Sequence, residues 1–119
     1  INISDDEDAA RMPAKANLGL YIGGMGSKDK NFYNDYAKRL GHEAAAVEIQ
    51  DHFLSGRRAE AVAAVPDELV DQVALTGPAG KITERLQDWK AASKEKKVQS
   101  LLVRASSSAE LQLLAKAVL

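Results

Sequence analysis

The sequence contains no cysteine, so disulfide bonds and thiolate chemistry are excluded. It contains two histidines, His42 and His52, and neither has a second ligand at a spacing typical of zinc sites, so we expect no metal site. No run of about 18 apolar residues occurs, so we expect no segment that spans a bilayer. A net charge of -1 gives no electrostatic reason to bind nucleic acid or an anionic membrane.

Aromatic residues are also scarce, at 5%, so the core must consist mainly of Ala, Leu, Val and Ile. The hydrophobic content of 45% is normal for a globular protein, and 119 residues fit one domain with a modest core. The first residue is Ile1, and acidic residues follow soon after it instead of a signal-peptide pattern. We expect a cytoplasmic protein, and the start of the chain is consistent with a missing N-terminal portion.

Most of the aromatic residues and many of the glycines lie together in residues 17–41. Residues 18–22 are ambiguous, because tyrosine and isoleucine bounded by glycine favour a strand, whereas the resemblance given below favours a helix that ends near Gly23. We interpret them as helix. Pro13 lies within this helix and predicts a break or a kink near that point.

Helical spacing predicts further helices over residues 31–40, 43–54, 57–64 and 66–73. The residues expected on the buried faces of the first two are Phe32, Tyr36 and Leu40, then Ala46, Ile49 and Phe53. A last helical pair is predicted over residues 78–93 and 107–119, the second opened by a capping box of Ser107 and Glu110. Their expected inward residues are Ile82, Leu86 and Trp89, then Leu111, Leu114 and Val118.

Two strands are predicted, one over residues 1–4 and one over residues 98–104, where apolar and β-branched residues are concentrated. Together with the helix at 78–93, they could form a parallel crossover followed by a closing helix. The residues between the first strand and this crossover helix form a helical insertion of about seventy residues, far longer than a normal connection. In a parallel barrel, such an insertion lies at the active-site face and is typical of a lid or a pocket wall.

Three sequence blocks, in order, resemble the luciferase-like monooxygenase family, especially its deazaflavin-dependent oxidoreductase branch. The first is Leu-Tyr-Ile-Gly-Gly-Met-Gly at residues 20–26, followed by Lys-Asn-Phe-Tyr-Asn-Asp at residues 30–35. The second is Ala-Val-Pro-Asp-Glu-Leu-Val-Asp at residues 64–71. The third is Leu-Thr-Gly-Pro at residues 75–78, with Ile82, Arg85 and Leu86. The resemblance covers nearly the whole chain.

This resemblance implies an α/β fold, namely the C-terminal part of a (β/α)8 TIM barrel, in which this segment is mostly α-helical with one or two short parallel strands. Residues 5–75 would be the helical insertion, and residues 76–119 the last crossover helix, the final strand and the closing helix. The parent enzyme would use coenzyme F-420 or FMN for hydride transfer or monooxygenation of a small organic substrate. We expect no cofactor on the isolated segment and no activity, because two strands cannot enclose a cofactor.

The resemblance transfers no catalytic residue, but four residues are candidates to face a cofactor or substrate. Tyr33 lies off the predicted apolar stripe, and Asn34 could donate hydrogen bonds to a ligand, whereas Asn31 is better explained as a helix cap. Gly24 lies in a glycine run that could approach a phosphate or form a mobile turn at the pocket rim. Arg104 ends the predicted final strand, where it could meet an anion or pair with a surface acid.

An alternative hypothesis is a self-contained helical interaction or dimerisation module without catalysis, because alanine-rich helices with narrow apolar stripes also suit a bundle. In a segment of a barrel, the faces of the helices at residues 78–93 and 107–119 would be left exposed, because they would normally pack on the full barrel. Exposed apolar faces and strand edges favour association. We therefore expect a homo-oligomer, most simply a dimer.

Overall fold

The structure is a computed structural model that describes all 119 residues and is mostly helical, as predicted. Two short strands and seven helices follow one another in the order β1 (Asn2–Ile3), α1 (Glu7–Gly24), α2 (Phe32–Arg39), α3 (Glu43–Leu54), α4 (Arg58–Ala63), α5 (Asp67–Val73), β2 (Thr76–Gly77), α6 (Ala79–Lys94) and α7 (Ser108–Val118). The chain divides into two compact units, one formed by residues 1–11 and 74–119 and the other by residues 12–73.

The first unit contains a two-stranded parallel sheet with Asn2 opposite Thr76 and Ile3 opposite Gly77. The backbone N–H of Asn2 donates to the carbonyl of Leu75 at 2.9 Å, and that of Ser4 to the carbonyl of Gly77 at 3.0 Å. Helices α6 and α7 pack on each other beside this sheet. The buried core of this unit consists of Leu75, Ile82, Leu86 and Ala117, with Ile1, Ile3, Leu113 and Leu114 partly buried against it.

The prediction of a strand over residues 98–104 is wrong. No regular secondary structure occurs there, and β1 pairs instead with β2, whose residues were not predicted to form a strand. The amino group of Ile1 donates to the carbonyl of Arg104, but no ladder of hydrogen bonds continues from this contact. Leu102 is fully exposed, at 101%. Strand propensity reflects packing against neighbouring strands, so an apolar run without them gains little from becoming a strand.

Helix α1 confirms the interpretation of residues 18–22 as helix, but the expected break at Pro13 does not occur. The helix continues through Pro13 to Gly24. Because proline has no backbone N–H, the helix lacks only the hydrogen bond from residue 13 to the carbonyl four residues earlier. Towards its end, a glycine face allows close packing within the second unit. A Cβ placed at Gly19 would lie 3.3 Å from Val62 Cγ2, and one placed at Gly23 would lie 2.5 Å from Phe53 Cβ.

The core of the second unit is small and alanine-rich. Its fully buried apolar residues are Ile22, Ala37, Ala46, Ile49, Ala61, Val65, Leu69 and Val70. The inward placement of Ala46 and Ile49 in α3 is therefore confirmed. The predicted burial of Phe32 and Tyr36 is wrong, because these side chains are 68% and 47% exposed and α2 buries its opposite face.

The inward faces of the last two helices are only partly as predicted. Ile82 and Leu86 are fully buried, whereas Trp89 at the end of the same stripe is exposed. In α7 the prediction is wrong for Leu111 and Val118, which are exposed, and Leu114 is half-buried. The helix buries Glu110 and Ala117 instead, because the capping contacts of Glu110 fix which face of its first turn points inward.

The predicted capping box at the start of α7 is confirmed. Glu110 Oε2 accepts hydrogen bonds from the backbone N–H of Ser106 at 2.6 Å and of Ser107 at 3.1 Å, and Ser107 Oγ accepts from the N–H of Glu110 at 3.2 Å. Burial alone would raise the pKa of the Glu110 carboxyl. The hydrogen bonds from Ser106, Ser107 and the backbone of Ile3 outweigh burial and hold this pKa below its ordinary value of 4.5.

We expect Glu110→Gln to lower the free energy of unfolding at pH 7 by about 1 kcal/mol, because the charged half of the capping box is lost. Since the pKa of Glu110 is lower in the folded state, its ionised form stabilises the fold fully above pH 4.5, and this stabilisation disappears as the pH falls through the lowered value. Urea unfolding at pH 7 and pH 3 should therefore show a smaller difference in the variant than in the parent. Glu84→Gln, on the exposed face of α6, serves as the control, and an equal pH dependence in all three proteins would contradict this prediction.

Candidate functional site

The carboxyl ends of β1 and β2 lie at the same edge of the sheet, because the strands are parallel. The chain after β1 enters α1, whose first two turns carry Glu7 and Arg11, and the chain after β2 enters α6, whose first turn carries Lys81. The three side chains meet at this edge and form what we call the edge cluster. All three belong to the first unit.

In the edge cluster, one carboxylate oxygen is shared by two cations. Lys81 Nζ donates to Glu7 Oε2 at 2.9 Å, and Arg11 Nη2 donates to the same oxygen at 3.0 Å. The hydrogen bond from Lys81 is the main cause of the lowered pKa of Glu7. Partial burial acts in the opposite direction and raises this pKa, whereas the positive charges of Lys81 and Arg11 lower it further. Glu7 is therefore ionised at neutral pH and orients the two cations, and it is poorly suited to act as a general acid.

The backbone at the end of β2 touches the edge cluster directly. Gly77 has a φ of +114°, a conformation that favours glycine, and a Cβ there would lie 3.2 Å from Lys81 Cδ and 3.7 Å from Glu7 Cγ. The neighbouring Thr76 is 5% exposed, and its hydroxyl has no hydrogen-bond partner in the protein. A buried hydroxyl without a partner is uncommon in folded proteins.

Three of the four predicted site residues lie in the second unit, around the end of α1 and the start of α2. Tyr33 is partly exposed, and its ring contacts that of Tyr21 edge-on with centroids 4.7 Å apart. Asn34 is buried, and its side-chain amide donates to the carbonyls of Ile22 and Ala46, so this amide is engaged within the fold. Gly24 ends α1 beside the ring of Phe53.

The fourth predicted residue, Arg104, lies in the first unit. It is exposed and belongs to the irregular segment between α6 and α7, so its expected place at the end of a strand is wrong. The structure thus groups Tyr33, Asn34 and Gly24 within one unit and places Arg104 in the other. A role for any of the four in binding a cofactor or substrate stays a prediction.

The edge cluster was not predicted, because neither Glu7 nor Lys81 belongs to a motif that the sequence makes evident. Recognition of Thr76 and Gly77 as a strand would have revealed the cluster, because Glu7 and Lys81 each follow a strand by a similar short distance. No group of three or more His, Cys, Asp or Glu side chains is arranged to hold a metal ion, and no helix is long and apolar enough to cross a membrane.

Comparison with known proteins assigns the family. The sequence model of the luciferase-like monooxygenases matches residues 1–95. The chain is 36% identical over 113 residues, or 95% of its length, to a protein of Mycobacterium tuberculosis named as a coenzyme F-420-dependent oxidoreductase. It spans 31% of the length of that relative, and no solved structure gives a significant match. The resemblance seen in the sequence is confirmed, and the chain belongs to the luciferase-like monooxygenase family.

Proposed function

We propose that this chain is part of a coenzyme F-420-dependent oxidoreductase that transfers a hydride between the coenzyme and a small organic substrate. The observation that carries the proposal is the parallel pair of β1 and β2, with charged side chains gathered at its carboxyl edge. In a (β/α)8 barrel, active sites are built at this edge from the segments that join strands to the following helices. The named activity of the Mycobacterium tuberculosis relative supports F-420 as the coenzyme.

The chemistry at the edge cluster fits an anionic, hydrogen-bonding coenzyme. Lys81 is a cation held in place by Glu7. We assign Lys81 to hold an anionic group of the coenzyme, while Glu7, which also accepts a hydrogen bond from Arg11, keeps it oriented. The coenzyme supplies the hydride chemistry when bound, and the protein supplies position and electrostatics.

The test uses the longest product of the source gene, because the chain spans less than a third of its relative. We expect that product to bind F-420 and to reduce or oxidise it in the presence of a panel of small alcohols and aldehydes, followed by the absorbance of the coenzyme. Lys81→Met is expected to weaken F-420 affinity about tenfold, since one charge-assisted hydrogen bond is lost. Lys90→Met, elsewhere on α6, is the control. Binding of FMN in preference to F-420 would overturn the coenzyme assignment.

The isolated 119-residue chain is expected to bind neither F-420 nor FMN with submicromolar affinity. Two strands of two residues each cannot surround a cofactor, and a partial surface retains only part of the binding free energy. Fluorescence titration of the purified chain with each coenzyme measures this directly. A submicromolar dissociation constant would show that the segment forms a complete site.

A second candidate function, a helical association module, is supported by the apolar side chains that the chain leaves exposed. On the surface of the first unit, Trp89, Leu102 and Leu111 are exposed by 39%, 101% and 59%. We therefore keep the proposal that the chain forms a homo-oligomer.

The coding region before Ile1 distinguishes the two candidate functions. An open reading frame that encodes further alternating strands and helices would support the oxidoreductase, and the absence of such a frame would support the association module.

A further inference from the structure

The corner between α3 and α4 is closed by two hydrogen bonds between the same two residues. The backbone N–H of Arg57 donates to the carbonyl of His52 at 2.9 Å, and that of Gly56 donates to the carbonyl of Phe53 at 3.0 Å. Because Gly56 has a φ of +80°, these contacts form the Schellman motif that commonly ends a helix. In addition, Arg57 Nε donates to His52 Nδ1 at 3.1 Å.

The side-chain hydrogen bond from Arg57 requires a neutral imidazole ring at His52. Nδ1 accepts a hydrogen bond only through its lone pair, so this nitrogen carries no proton and the proton of the neutral ring lies on Nε2. Nε2 in turn lies 3.6 Å from Oε1 of Glu48, one turn earlier in α3. Histidine is the one side chain whose unperturbed charge change falls between about pH 5 and pH 8, so such a contact is sensitive to pH.

A proton on Nδ1 of His52 changes both contacts of the ring. Nδ1 becomes a donor that faces the permanently charged guanidinium of Arg57, so the hydrogen bond is lost and two cations repel each other. Nε2 and Glu48 become an ion pair, and the positive ring suits the negative end of the α3 dipole. The neutral ring therefore selects Arg57 as its partner, and the charged ring selects Glu48.

The other charged groups at this corner have partners of their own. Lys28 Nζ lies 3.5 Å from Asp51 Oδ1, and the guanidinium of Arg58, on α4, lies 5.2 Å from the centroid of the Phe53 ring. Helix α2, which also packs on α3, contributes no ion pair to His52. The imidazole ring thus has one basic and one acidic partner, and no third ion pair competes with them.

We propose that His52 is a pH-sensitive switch, which holds the Arg57 side chain against the end of α3 when the ring is neutral and releases it when the ring is charged. The backbone hydrogen bonds of the Schellman motif do not involve the imidazole ring, so they remain in both states. The switch therefore changes the position and order of one cation and leaves both helices in place. All its parts lie within residues 48–57 of the second unit, so the inference is independent of the proposed function.

Nuclear magnetic resonance of the full chain tests the switch. Long-range proton–nitrogen spectra show which ring nitrogen of His52 carries the proton, and ¹³C relaxation of the δ-methylene group of Arg57 measures the order of its side chain. At about pH 8 we expect the Nε2–H form of His52 together with an ordered Arg57. At about pH 5 we expect Arg57 to be as mobile as Arg39, which is exposed on α2. The loss of order should have the same midpoint as the titration of His52 Cε1–H.

Two variants separate the switch from a general effect of pH. In His52→Gln, the side chain gains no proton in this range, so the mobility of Arg57 should be the same at both pH values. His42→Gln is the matched control, because His42 Nε2 lies 2.9 Å from the uncharged Gln72 Oε1, and this variant should keep the release of Arg57. An Nδ1–H form of His52 or a mobile Arg57 at about pH 8 would overturn the proposal, as would a pH-dependent Arg57 in His52→Gln.

Discussion

Replacing Asn34 with alanine is expected to lower the free energy of unfolding by about 2–3 kcal/mol, one of the two largest effects that we predict for this chain. The side chain is 2% exposed, and its Nδ2 donates to the carbonyl of Ala46 at 2.8 Å and to that of Ile22 at 3.2 Å. These contacts join α2 to α3 and to the end of α1 within the second unit. Alanine would leave buried carbonyl groups with fewer donors and a small cavity.

The neighbouring Asn31 explains why the loss is not larger. Its Nδ2 also donates to the carbonyl of Ile22, at 3.0 Å, so this acceptor keeps one partner when Asn34 is removed. The control is Asn17→Ala, because Asn17 is exposed within α1 and alanine is the better helix former there. Urea unfolding followed by circular dichroism measures both variants. A decrease below 0.5 kcal/mol for Asn34→Ala, the scale of ordinary surface substitutions, would show that the amide is not a structural link.

Gly23→Ala is expected to destabilise the second unit by a similar amount, about 2–3 kcal/mol, through overpacking. A Cβ at this position would lie 2.5 Å from Phe53 Cβ and 2.8 Å from Phe53 Cγ. The neighbour is the base of an aromatic side chain, which cannot move aside without shifting its helix. Any gain in helix propensity from alanine is well below this cost.

Gly80→Ala is the matched control for this prediction. Gly80 also lies in a helix, α6, but no atom lies within 4 Å of a Cβ placed there, so alanine should stabilise the chain by about 0.5–1 kcal/mol. Combining Gly23→Ala with Phe53→Ala tests the cause, because the two effects should be non-additive if the contact is responsible. Equal effects of alanine at positions 23 and 80, measured by thermal unfolding, would contradict the steric explanation.

The helices of this chain were largely predictable, because each begins or ends at residues with a local signal. Asn31 caps α2, Ser107 and Glu110 open α7, and Pro78 precedes α6, as the sequence indicated. The strands were predictable only in part. A strand depends on a distant partner, and β2 consists of Thr76 and Gly77, residues that resemble a turn when they are read locally.

Side-chain burial was harder to predict than secondary structure. Phe32 and Tyr36 were expected inside because aromatic residues one turn apart are typical of a core stripe. The inward face of α2 instead carries Asn34, whose amide satisfies carbonyl groups that a ring could not. The edge cluster could not be predicted for a related reason, since the contact of Glu7 with Lys81 depends on the pairing of β1 with β2. The family, by contrast, was evident from short blocks of sequence that need no tertiary information.

The pairing of Asn2 with Thr76 also has a kinetic consequence. Closing a flexible loop of some seventy residues has an entropy cost of roughly 4 kcal/mol. The chain bears this cost before the first hydrogen bonds between the strands can stabilise it. Helices α2 to α5 form from contacts close in sequence, and such contacts form quickly. Folding of residues 12–73 before the sheet shortens the flexible chain that remains to be closed. We therefore expect the sheet to form after residues 12–73 have folded.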